Sequence, residues 1–150
     1  MVIEMRVHRK LIDSLYVEAM LLADEARTYF DEGGRLEREA LDPLARVAFS
    51  CESLKVTTRL MHVIAWLLTQ RAIEAGEMSR RDALDPSRRL GAGPVTEAAA
   101  FAAMPEHAKG LIEASIELFR RTAMLDEAQI EQAPMLSPAL SMLRRLEVAF

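Results

Sequence analysis

The chain has 150 residues, and the ones that could do chemistry are few: His8, His62 and His107, a single cysteine at Cys51, and scattered acidic pairs. The histidines fall on three separate segments. No two are three or four residues apart, the spacing that sets two ligands on one helix face for a zinc or di-iron centre, and no Glu-x-x-His occurs. Cys51 and His62 share a helix face, but eleven residues of helix separate them by roughly 16 Å, whereas a nucleophile and its base meet at about 3 Å. Cys51 therefore reads as a small core residue. Gly91-Ala92-Gly93-Pro94 is glycine-rich, but no Lys-Ser or Lys-Thr follows and no strand precedes, so it is not a phosphate loop. Asp24-Glu25 and Asp126-Glu127 read as solvent-facing acids, and Glu117 with Arg121 as an ordinary i,i+4 pair. The expectation is a protein that is not an enzyme and uses no metal or cofactor. One rival stands: His62 has the placement of a phosphotransfer or small helical-bundle enzyme histidine, although Met61 and Val63 beside it are bulky where small neighbours are wanted.

Composition narrows the partners. The formal net charge is −4, and the basic doublets Arg80-Arg81, Arg88-Arg89, Arg120-Arg121 and Arg144-Arg145 each have acidic neighbours, so no basic stripe develops and nucleic acid is not expected. One cysteine permits no intrachain disulfide, and the first residues, MVIEMRVHRKLIDSLY, lack the apolar run of a secretory signal, which points to a reducing cytoplasm. The uncharged run from Leu60 to Gln70 within TTRLMHVIAWLLTQRA would span roughly 16 Å of helix against a hydrocarbon core of about 30 Å. It is not a membrane span.

Apolar residues recur at helical spacing almost everywhere, which predicts one all-α domain over residues 1–150. A first helix covers about 8–32, carrying Leu11, Leu15, Leu22, Ala26 and Tyr29, and stops at Gly33-Gly34. A second covers 43–75, with Asp42 as N-cap, Pro43 in the first turn and Gly76 past the end. A third runs over 105–132 with Leu111, Leu118 and Leu125, and a short amphipathic fourth over 138–147 opens with Ser137 as cap. Residues 77–104 form a long connection with room for helical turns near Ser79 and Thr96. The architecture implied is an antiparallel three-helix bundle with a short C-terminal helix.

The second helix has two apolar stripes, Leu54-Met61-Ala65-Leu68 and Val56-Leu60-Val63-Leu67, which together span roughly 200° where a surface helix needs little more than 100°. Ile12, Tyr16 and Phe30 widen the first helix's stripe, and Ile116, Ala123 and Ile130 the third's. One bundle would leave much of this wet, so a homodimer is expected, the alternative being that the long connection and C-terminal helix cover the surplus. The rest of the second helix collects Glu52, Lys55, Arg59, His62, Thr69 and Gln70, with Trp66 in their midst. A tryptophan ringed by polar groups is either a partner anchor or a residue closing the fold under the 77–104 connection. The strip Glu52, Lys55, Arg59, His62, Trp66, Gln70 is the candidate protein-binding site.

Two segments also carry a family likeness. ESLKVTTRLMHVIAWLLTQRAIEAGE, from Glu52, and EAMLLADEARTYFDEGGR, from Glu18, together with Thr57, Thr58, Arg59, Leu60, Trp66, Gln70 and Arg71, resemble the alphaproteobacterial family of the regulator of CtrA degradation, a domain of unknown function, DUF1465. The resemblance implies a noncatalytic, dimeric three-helix adaptor that brings cell-cycle regulatory cargo to the ClpXP protease, with response-regulator and protease-associated proteins as partners. An adaptor raises the effective concentration of cargo and needs two surfaces of modest affinity; the polar strip and the 77–104 connection are the candidates.

Overall fold

The computed structural model describes residues 2–132 and 138–149, and every regular element among them is helical. Helix α1 spans Val2–Thr28. It starts well before His8 because no glycine or proline interrupts the first 32 residues. Its end loosens into a π-helical turn, Tyr29–Gly33, whose Tyr29 carbonyl accepts the Gly34 N–H at 2.7 Å. A Cβ on Gly34 would lie 2.9 Å from the Tyr29 ring, so glycine is needed where the chain folds back. The turn seats Phe30 edge-on against Phe49, with ring centroids 5.2 Å apart.

After α2 (Arg35–Glu39) comes the longest helix, α3 (Pro43–Glu74). Both ends are set by local chemistry. The Asp42 carboxylate accepts the Ala45 N–H at 2.8 Å, and Pro43 fills a first-turn position whose N–H would have no partner. At the other end Gly76 adopts φ +75°, which lets the Glu77 N–H reach the Ala72 carbonyl. The connection holds α4 (Arg80–Ala83), opened by a Ser79/Asp82 capping box, a 3-10 turn at Pro86–Arg88, and α5 (Ala98–Ala102). Then follow α6 (Glu106–Gln132) and α7 (Pro138–Ala149); the expected Ser137 cap lies outside the described residues.

Helices α1, α3 and α6 pack on one another around Ile12, Leu15 and Ala19, Val56, Leu60, Val63 and Leu67, and Leu111, Ile112 and Leu118. Cross-helix pairs give their directions. Asp13 with Arg71 and Arg9 with Glu74 run α1 against α3, and Glu25 with His107 and Glu18 with Arg121 run α1 against α6. On α3 and α6 the order is the same: Arg59 meets Ser115, Trp66 meets Asp126, Gln70 meets Gln129. The antiparallel expectation is thus corrected for one pair, since α3 and α6 point the same way. The cause is the connection's length, because the chain must travel back along α3 before α6 can begin. Residues 89–97 make that return journey as an extended segment in the groove between the two parallel helices, with Leu90 buried and Gly93 against the Phe119 ring.

Candidate functional site

Helix α3 decides which surfaces the molecule offers. Glu52, Arg59 and Trp66 are seven residues apart, close to two helical turns, so they line up, and Gln70 sits one turn beyond. Their exposures are 1%, 2%, 3% and 3%: the polar strip faces inward. Only Lys55, half-buried, and His62, exposed, reach solvent. The candidate site is therefore corrected in its exposure, since Glu52, Arg59, Trp66 and Gln70 present no open face to a partner in this conformation.

Burial of charge is costly unless every group is paired, and here each is. Arg59 Nη1 donates to Ser115 Oγ at 3.2 Å, and its Nη2 donates to Thr96 Oγ1 at 2.7 Å and to the Pro94 carbonyl at 3.1 Å. Thr96 Oγ1 in turn donates to Glu52 Oε2 at 2.6 Å, and Lys55 Nζ meets Glu52 Oε1 at 3.0 Å. Burial pulls the Arg59 pKa below the ordinary guanidinium value, against which the Glu52 charge works. Further along, Trp66 Nε1 donates to Asp126 Oδ1 at 2.9 Å, Arg89 Nη2 donates to Asp126 Oδ2 at 3.0 Å, and Gln70 Nε2 donates to Gln129 Oε1 at 3.2 Å. Trp66 closes the fold, the second of the two roles its surroundings allowed. Asp126, read from sequence as a solvent-facing acid, is buried as its partner.

These contacts tie Glu52, Arg59, Trp66 and Gln70 to α6 and the returning segment. Among the described residues no three His, Cys, Asp or Glu side chains come together as metal ligands, and no helix is long and apolar enough to cross a membrane. His62 forms no hydrogen bond among the described residues.

The opposite face of α3 is apolar and wet. Leu44, Val47, Cys51, Leu54, Thr58, Met61, Ala65 and Leu68 alternate by three and four residues, the heptad rhythm of a helix–helix seam. Leu44 is 82% exposed, Leu54 68% and Met61 63%. One of the two stripes read from sequence, Val56-Leu60-Val63-Leu67, is core; the other lies outside. Cys51 is exposed on this seam rather than packed in the core, a correction that follows from the strip's inward turn. Glu117 likewise pairs with Arg120, not Arg121, whose guanidinium reaches across to Glu18 on α1.

A family described as "Protein of unknown function (DUF1465)" matches residues 3–150. The chain belongs to this family. Among solved structures, this DUF1465 chain is similar to the crystal structure of RcdA from Caulobacter crescentus CB15, at 34% identity and a TM-score of 0.65, over 79% of this chain and 90% of that one. Comparison with curated proteins finds no significant relative.

Sequence reasoning missed Arg89, Thr96, Ser115 and Asp126 as members of the buried network. A signal was present. Ser115, Thr122, Asp126 and Gln129 draw a polar stripe down α6, and it faces Arg59, Trp66 and Gln70 of the stripe on α3.

Proposed function

We propose that this DUF1465 protein is a noncatalytic adaptor in the cytoplasm that pairs with a second copy of itself and helps deliver cell-cycle regulatory proteins to the ClpXP protease. The observation that carries the reading is the exposed heptad seam on α3. A soluble helix that keeps a strict three-four apolar rhythm on its wet side has a helical partner to meet, and an isologous α3–α3 contact would bury Leu54 and Met61 from both copies. The similarity to RcdA, a regulator of CtrA degradation, supports the delivery role. Cargo or protease would use other surfaces, among them the exposed α1 residues Val17, Met20 and Leu21.

The test joins assembly to delivery. Sedimentation is expected to give a dimer for the wild type and a monomer for Leu54→Lys/Met61→Lys with helicity retained. ClpXP degradation of a purified response-regulator substrate should accelerate with the wild type. A wild-type monomer would end the pairing half of the proposal, and substrate decay indifferent to the protein would end the delivery half.

A further inference from the structure

We infer that the groove between α3 and α6 is a receptor for an extended polypeptide, and that residues 89–97 are its internal occupant. The inference rests on the protein-binding reading above but names a different surface from the α3 seam. Residues 90–97 adopt no regular secondary structure, and no backbone N–H from 89–96 donates to another backbone carbonyl among the described residues. The segment is held as a ligand is held, by what the groove offers. Leu90 fills an apolar site, Gly93 passes under the Phe119 ring where a Cβ would come within 3.0 Å, the Pro94 carbonyl accepts a hydrogen bond from Arg59, and the Thr96 hydroxyl bridges Arg59 and Glu52.

The receptor groups explain why. Glu52, Arg59 and Ser115 are buried polar side chains in the middle of a helix pair where leucine would serve packing as well or better. What they recognise is a main-chain carbonyl and a hydroxyl two residues later, features that any extended segment of the right spacing carries. The outer clasp, Arg89 on Asp126, is part-exposed and at the end where Gly91 turns through φ +72°, so the segment has a hinge beside its weakest fastening. Local opening of such a loop costs less than global unfolding. The fitting ligand is an extended peptide with an apolar residue six positions before a serine or threonine and a small residue midway, the pattern of Leu90, Gly93 and Thr96.

The experiment adds a fluorescent peptide of residues 87–99 in trans to the full chain. The expected result is weak binding to the wild type, at least tenfold tighter binding to Arg89→Ala/Thr96→Val, whose own segment is loosened, and loss of that binding when Arg59→Met is added. Cooperative thermal melting of each variant establishes that the groove remains. Equal affinity for wild type and loosened chain, or no binding by a loosened chain that still melts cooperatively, overturns the inference while leaving the adaptor reading intact. Should Arg59→Met fail to melt cooperatively, a Thr96→Val peptide replaces it, and undiminished binding of that peptide to the loosened chain overturns the inference equally.

Discussion

The two faces of α3 differ in what they admit. The inner one buries Glu52, Arg59 and Gln70 beside Phe49, Val56, Leu60, Val63, Trp66 and Leu67, while the outer one leaves leucine, valine and methionine exposed. Polarity alone does not choose which face goes inside. A polar group is accommodated once its partners are fixed, and α6 with the returning segment supplies them: a hydroxyl, a carboxylate, an amide and a main-chain carbonyl. An apolar face stays out at little cost to one copy if another helix can cover it. The inner face is thus specified by complementarity and the outer one by periodicity.

Breaking the inner face should hurt most. Trp66→Ala is expected to destabilise the fold by about 3–5 kcal/mol, because it opens a cavity and strips Asp126 of a donor, and urea unfolding measures it. A loss below about 1 kcal/mol would place the ring outside the core after all. Arg59→Met should cost about 3 kcal/mol by leaving Glu52 buried with only its Lys55 contact and the Thr96 hydroxyl, and Glu52→Met on top of it should restore most of the loss. Failure of the double variant to recover would mean that the pair stabilises beyond its own neutralisation.

A smaller effect belongs to the turn that closes α1. Burial, reinforced by a hydrogen bond to Glu37, raises the Tyr29 phenol above its ordinary value of 10.0. The unfolded chain then releases that proton first, so the contribution of Tyr29 to stability is fully present below about pH 10 and is lost as pH rises beyond it. Tyr29→Phe should flatten this alkaline limb in pH-dependent melts. The smallest effect is expected outside: Met61→Lys at protein concentrations below pairing should leave stability within about 0.5 kcal/mol of wild type. Maleimide labelling of Cys51 should slow as concentration rises in the wild type and not in this variant, which sharpens the same contrast.

How much of this the sequence disclosed follows from the range of each interaction. The ends of α3 were readable because Asp42, Pro43 and Gly76 act on neighbours a few residues away. The existence of two apolar stripes was readable too, since periodicity is local. Which stripe faces the core was not, because it depends on Ser115, Asp126 and Gln129, more than fifty residues distant along the chain. The parallel course of α3 and α6 was hidden for a related reason: a long connection can turn back immediately or travel, and only the groove's fit to Leu90, Gly93 and Thr96 selects the second.

Side-by-side helices that point in one direction also set an order of assembly. α1 and α3 meet through residues 29–42, a shorter and lower-entropy closure, whereas α6 can join only after residues 75–105 have been laid down across them. The helical hairpin of α1 and α3 should therefore form early, with its future lining of charge still hydrated. Dehydration of Glu52 and Arg59 would be a late, concerted event, in which the final helix and its tether lock together.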